Sequence, residues 1–443
     1  MKSMPKLLLF ALLLFPFAAP SLAAPLVDCG LSLDRTVLPA GQREKAVIKI
    51  DLHVPDIPRG AQRPPVNLAL VLDRSGSMSG DKIAKAREAA LAALDRLGPQ
   101  DLFSLVTYDH NVRTLVPPQS PGANRDWIEQ QIRAIGTGGN TALFGAVSQG
   151  AAEVRKHLGG PYIHRVVLLS DGLANVGPSS PDDLARLGAA LVKEGISVTT
   201  IGIGNDFNED LMSRLAEKSD GNHYFVESSV DLPRIFAMEL GDVLSVAARR
   251  VIIEIECPDG VQPLRIIGRE GRIRGNTVEI HLNQLYGGQN KYALIEVQVG
   301  PGEPEKSREI ARARCRYENA LSGASEQSTA SARVSFSRRR DEVVRSANRP
   351  VVEAVVENEI AVSRDRALDL YNAGRRDEAV QELKQSQEKL QTQSEGLGFQ
   401  DLAGKAGALE EDAATFAAPS IPSPVKKEIR SESYKVRQQQ KDY

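Results

Sequence analysis

The chain has 443 residues, of which 42% are hydrophobic and 25% charged, and its formal charge is −2. That length supplies at least one large core and, at roughly 150 residues each, about three domains. A near-neutral balance, with no basic stripe interleaved with aromatics, excludes a long-range field that would gather nucleic acid, so no nucleic-acid partner is expected.

At the start, Lys2 and Lys6 flank an apolar run from Leu7 to Ala19, and Ser21-Leu22-Ala23 then presents small residues at the −3 and −1 positions. This pattern predicts a secretory signal peptide over residues 1–23 and an exported protein, periplasmic or extracellular. The run is about 13 residues long and Pro16 interrupts it, short of the ~20 a spanning helix needs, so cleavage is favoured over an uncleaved anchor. Asp28 stands before Cys29 where a lipobox requires a small residue, which sets a lipid anchor aside. No later apolar run is long enough to span a bilayer as a helix.

Residues 26–64 include "KAVIKIDLHV", whose period of two and β-branched residues predict strand, and end in the turn-rich "PDIPRGAQRPP". Residues 66–244 alternate apolar strands with amphipathic helices. "VNLALVLD" and "HRVVLLSD" are nearly continuous apolar runs, as expected of strands buried on both faces. "DKIAKAREAALAALDRL", "ALFGAVSQGAAEVRKHL" and "PDDLARLGAALVKEG" have helical period. The order predicts a Rossmann-like, doubly wound and mostly parallel sheet wrapped by helices.

Residues 246–340 change character. "RRVIIEIECPDG", "NTVEIHL", "KYALIEVQVG" and "ASARVSFSR" are strands at short intervals, which predicts an antiparallel sandwich. The N-terminal strands lack enough partners of their own, so they are expected to join it, with the α/β unit inserted. Residues 346–416 are helical, and "ALDLYNAGRRDEAVQEL" resembles part of a tetratricopeptide hairpin. One copy does not make a solenoid, so a plain helical hairpin is expected. Residues 417–443 are rich in Pro, Lys and Gln and are expected to be a disordered tail.

Three cysteines, Cys29, Cys257 and Cys315, follow the signal segment. In an exported chain an odd count permits one disulfide and one leftover thiol, with the pairing open. No C-x-x-C is present, and the favoured reading is small buried hydrophobes.

The segment that carries chemistry is "VLDRSGSM", residues 71–78. Asp73 ends a buried strand, and Ser75 and Ser77 follow at spacings of two around Gly76. Ligands of open α/β sheets bind at the carboxyl ends of strands, near the point where strand order reverses. "GTGGNTAL" places Thr141 before a helix, and "VVLLSDGLANVG" places Asp171 at another strand end. Two carboxylates and three hydroxyls, without nitrogen or sulfur, suit a hard cation such as Mg²⁺ and argue against Zn²⁺ or copper. The acids only balance the ion and the hydroxyls are neutral, so a water is left that a partner's Asp or Glu can replace. Asp109 and His110 end the strand read over "DLFSLVTYD", residues 101–109, and read as a hairpin turn in preference to a support for this site.

Other motifs carry less. "GTGGN" and "GIGND" match neither phosphate-binding glycine pattern. The six histidines (53, 110, 157, 164, 223 and 281) are scattered and read as surface or packing residues. Neither Ser75 nor Ser170 lies in G-x-S-x-G, so a nucleophilic serine is not expected.

Residues 66–244 resemble a von Willebrand factor A domain. Asp73, Ser75 and Ser77 in "DRSGSM", the isolated Thr141, and Asp171 in "SDG" resemble that family's metal-ion-dependent adhesion site. The resemblance implies a Mg²⁺ or Mn²⁺ ion, with Ser75, Ser77 and Thr141 as direct or near-direct ligands and the two acids partly bridged by water. The wider layout resembles bacterial exported A-domain proteins and, more loosely, the inter-alpha-trypsin inhibitor heavy chains and the chloride-channel-accessory group. The expected function is an exported, cation-dependent, adhesion-type protein-binding module, not an enzyme. One rival is an envelope assembly or regulatory subunit that docks a membrane complex through its C-terminal helices. A more remote one is a metal-dependent hydrolase, for which no general base is placed by motif.

Overall fold

The computed structural model describes residues 25–57 and 63–440; the segment read as a signal peptide lies outside them. Three strands come first, β1 (Asp28–Leu33), β2 (Val37–Pro39) and β3 (Glu44–His53). The α/β unit follows: β4 (Val66–Asp73), α1 (Asp81–Arg96), β5 (Leu102–Tyr108), β6 (Val112–Gln119), α2 (Arg125–Arg133), α3 (Leu143–Arg155), β7 (Ile163–Ser170), α4 (Pro181–Lys193), β8 (Ile196–Ile203), α5 (Glu209–Lys218), β9 (His223–Val226) and α6 (Leu232–Val243).

Its sheet runs β6-β5-β4-β7-β8-β9. All neighbours are parallel except the β5–β6 hairpin at one edge. Every residue of β4, β7 and β8 is buried, which is why these strands read as unbroken apolar runs. Leu68 and Leu70 of β4 point to the layer of α1, α2 and α6, with Ile83, Ile132 and Phe236. Ala69 and Val71 point to the layer of α3, α4 and α5, with Leu143, Leu184 and Leu211. The chain leaves β4 for β5 on one side and reaches β7 on the other, so strand order reverses at β4. Short α2 has no counterpart among the helices expected from sequence; its buried face is only Ile128 and Ile132.

The chain then returns to β-structure: β10 (Val246–Glu256), β11 (Val261–Ile267), β12 (Arg272–Arg274), β13 (Thr277–Tyr286), β14 (Asn290–Val299), β15 (Ser307–Asn319) and β16 (Ser325–Ser337). Two sheets, β1-β3-β14-β11 and β12-β13-β10-β15-β16-β2, enclose one core that includes Ile48, Ile50, Val251, Ile253 and Ile295. β3 pairs antiparallel with β14 across the whole inserted unit, Ile50 facing Ala293. The one departure from an antiparallel sandwich is β2, which runs parallel to β16. Cys29, Cys257 and Cys315 are free thiols buried in this core. Burial pushes the Cys257 thiol up to about 11, keeping it protonated and inert.

The helices α7 (Arg340–Arg345), α8 (Arg349–Asn372), α9 (Arg376–Gly396), α10 (Gln400–Ala406), α11 (Ala408–Ala417) and α12 (Ser423–Gln438) complete the fold. α8 and α9 form the hairpin, turning at Gly374 with φ +78°. The disordered tail expected over 417–443 is corrected: its Ser423–Gln438 portion is helix. Ile429 and Tyr434 are buried; Lys427 pairs with Glu209 of α5, and Arg430 and Arg437 each pair with acids of both α5 and α8. A composition that looks like solvation is in fact complementary to carboxylates elsewhere in the chain. No described helix is long and apolar enough to cross a membrane.

Candidate metal centre

The site lies at the carboxyl ends of β4 and β7, beside the reversal of strand order, where open α/β sheets place ligands. After β4 the chain makes one tight turn, Gly76–Met78. The backbone N–H of Ser75 donates to Asp73 Oδ1 at 2.8 Å, folding the D-x-S-x-S loop onto its own first carboxylate. Ser75 Oγ and Ser77 Oγ are 3.0 Å apart, and Ser77 Oγ donates to Asp171 Oδ1 at 2.7 Å. Asp73, Ser75, Ser77 and Asp171 therefore form one connected set.

Thr141 reaches the same point from the loop before α3. Its N–H donates to Asn175 Oδ1 at 2.8 Å, and its carbonyl accepts from the N–H groups of Asn175 and Val176. Gly172 marks the convergence. A Cβ there would sit 3.3 Å from Thr141 Oγ1, 3.4 Å from Ser77 Oγ and 4.0 Å from Ser75 Oγ. The three hydroxyls thus line one cradle, and all five residues expected from sequence meet in it.

The loops are braced from behind. Gly76 N–H donates to the Gly139 carbonyl and Gly138 N–H to the Arg74 carbonyl. Arg74 pairs with the buried Asp109, whose carbonyl accepts from Ala142 N–H. Asp109 and His110 form the expected turn, since Asn111 N–H donates to Asp109 Oδ1 at 2.7 Å. They also support the site: Gly139 has φ +83°, and a Cβ on it would meet His110 Nδ1 at 2.3 Å. Only glycine fits there.

Asp73 and Asp171 are fully buried, whereas Ser77 is exposed. Burial raises the Asp73 carboxyl above its usual range; hydrogen bonds from Ser170 and Ser75 pull it back, and the neighbouring Asp171 charge pushes it further up. Among the described residues Asp73 has no cationic partner, and Ser170 Oγ donates to its Oδ2 at 2.7 Å. Asp171 has one, Lys82, whose Nζ lies 2.5 Å from Oδ2. Two buried carboxylates with a single lysine, paired to Asp171 alone, are under-neutralised, which is costly in a low-dielectric interior. Together with three hydroxyls aimed at one point, this is the donor set and charge deficit of a hard-cation site, so the residues fit the ion that the sequence implies. Sequence reasoning missed Lys82, Ser170 and Asn175, which act through space and at no diagnostic spacing.

Residues 67–237 match the model of the von Willebrand factor type A domain. The chain carries a von Willebrand factor A domain. Similar proteins include the uncharacterized protein YfbK of Escherichia coli, 27% identical over 232 residues, covering 52% of this chain and 40% of that protein. Human inter-alpha-trypsin inhibitor heavy chain H4 is 30% identical over 171 residues, covering 37% of this chain and 18% of that protein. This chain thus spans less than half the length of either relative. A von Willebrand factor type A structure from Catenulispora acidiphila superposes with TM-score 0.69 at 19% identity, covering 92% of this chain and 96% of that one. That match extends the shared fold beyond the A domain to the sandwich and helices.

Proposed function

We propose that this A domain is a divalent-cation-dependent protein-binding module. A Mg²⁺ or Mn²⁺ ion is held by Ser75, Ser77 and Thr141, with Asp73 and Asp171 behind them, and a partner's Asp or Glu completes the coordination. The observation that carries the reading is the convergence of three hydroxyls and two under-neutralised buried carboxylates on one cradle beside exposed Ser77. A domains often mediate protein–protein contacts, which agrees with this reading. The protein is taken to be exported, on its N-terminal sequence alone, and to act by binding, without catalysis. The ion when bound supplies a Lewis-acidic position for an anionic ligand. Exposed Leu173, two residues after Asp171, offers an apolar contact next to it, with 58% of its surface free.

The test uses envelope extract and the full chain. Capture of a partner is expected with Mg²⁺ and lost with chelator or with Asp73→Ala. Mg²⁺ at about 100 times its Kd should also stabilise the wild type by about 2.7 kcal/mol in thermal denaturation and leave Asp73→Ala unmoved. Capture that ignores chelator sinks the reading.

The alternative, docking of a membrane complex through the C-terminal helices, gains little from α12, whose Lys427, Ile429, Arg430 and Tyr434 are already buried. That helix is already packed against α5 and α8 through Lys427 and Arg430, and against β9 through the ring of Tyr434 on His223. Removing residues 346–443 would therefore unpair the acids that α12 neutralises, so point substitutions on exposed α9 are the cleaner comparison.

A further inference from the structure

Lys82 is the second residue of α1, in no motif that drew attention to the site. Its side chain is about a quarter exposed, and its ammonium caps Asp171 Oδ2 while Ser77 Oγ holds Oδ1. Both oxygens of the later acid are thus engaged within the chain. Asp73 has only hydroxyl and amide donors. The Gly204 turn closes over Lys82, a Cβ on Gly204 falling 3.7 Å from Nζ, so the ammonium sits between the ends of β7 and β8.

We infer that Lys82 is a built-in counter-cation that sets the charge of the metal site and makes it demand an anionic last ligand. This rests on the metal reading above and deepens it. Asp73, Asp171 and Lys82 sum to −1, so a bound divalent ion brings the site to +1 and one carboxylate from a partner brings it to neutral. Without Lys82 the two acids and the ion are neutral already, and the incoming carboxylate would carry an uncompensated charge. Lys82 therefore weakens the ion held alone and strengthens the ion held together with an acid. It is a specificity-determining residue: it disfavours neutral oxygen ligands, such as an amide or hydroxyl, as the partner's contribution.

The experiment is calorimetric titration of the full chain with Mg²⁺, without a partner, in the wild type, Lys82→Gln, Lys82→Met and Lys82→Arg, each with and without acetate as the carboxylate probe. Lys82→Gln and Lys82→Met are expected to bind Mg²⁺ at least about tenfold more tightly, the size expected for removing a unit charge close to a divalent ion in a partly screened site. Lys82→Arg should stay near the wild type. Acetate should tighten Mg²⁺ binding in the wild type and not in the two neutral variants. The Met variant keeps the aliphatic stem, so agreement between it and Gln separates charge from packing. Wild-type affinity, or weaker, in both neutral variants overturns the inference while leaving the metal site standing. No Mg²⁺ binding in the wild type overturns the metal reading and this inference with it.

Discussion

The two ends of the A-domain sheet use buried charge in opposite ways. At the amino ends of β7 and β8 the sheet meets β13 of the sandwich. There Arg165, fully buried, donates to Gln284 Oε1 at 2.7 Å, Tyr286 Oη at 2.6 Å and Thr199 Oγ1 at 3.2 Å. Glu239 lies 3.6 Å from it and also accepts from Thr199, Asn222 and Tyr224. Asn283 of the sandwich donates to Ser197 Oγ at 2.6 Å and, through its N–H, to Asp220. Each acid here is answered from within the chain. At the carboxyl ends Asp73 and Asp171 have one lysine between them, on Asp171, and lie beside exposed Ser77. The junction end is closed and structural; the cradle end keeps a deficit that only something from outside can fill.

Breaking the closed end should have the largest effect. Arg165→Met leaves Glu239 buried without its cation and strips Gln284 and Tyr286 of a donor, a loss of about 3–5 kcal/mol in urea denaturation. Arg165→Lys should do little better, because one ammonium cannot reach three acceptors in a fixed fork. A loss below about 1 kcal/mol would mean that apolar packing, and not this network, holds the junction. Arg430 of α12 is next. It pairs with Asp210, Asp365 and Asp369, but Asp369 is 44% exposed and Asp365 keeps Arg437. Arg430→Gln should therefore cost about 1–2 kcal/mol, discounted for that solvent screening. Hydrogen exchange should show the loss as faster opening of α12 alone, with a smaller difference from wild type at high salt, where the wild-type pairs are themselves screened.

The contrast also explains what was legible. The doubly wound sheet was readable because β4, β7 and β8 are buried on both faces, so their apolar runs are unbroken. The five cradle residues were readable because Asp73-x-Ser75-x-Ser77 is contiguous and Thr141 and Asp171 each stand at an element end. Lys82 and Ser170 were not, since each is an ordinary residue whose role exists only once β4 and β7 are adjacent. The junction was invisible for the same reason: Arg165 and Gln284 lie 119 residues apart. α12 was misread because local composition cannot reveal that acids on α5 and α8 await its Lys427, Arg430 and Arg437. Polar partners chosen across long sequence separations leave no period and no spacing, whereas burial of whole strands does.

The smallest effect separates the two ends most finely. In metal-free protein the Asp73 carboxyl is held above its ordinary range, chiefly by burial. The native state then binds that proton more tightly than the unfolded chain. Its contribution to stability is complete below the unfolded value, about 3.9, and is lost as pH rises through the raised native one. Asp73→Asn removes the titration and keeps the shape: Oδ1 still accepts from Ser75 N–H, and Ser170 Oγ can turn to accept from the new amide. Without metal, the wild type should fall behind Asp73→Asn as pH is raised from about 4 to 7, by less than about 1 kcal/mol because hydrogen bonds already satisfy both carboxylate oxygens. Saturating Mg²⁺ at pH 7 should reverse the order, since only the wild type has the ion's full charge complement. Paired thermal denaturation curves across pH, with and without Mg²⁺, check both halves. An order that never reverses would place Asp73 with the closed, self-sufficient charges of the junction.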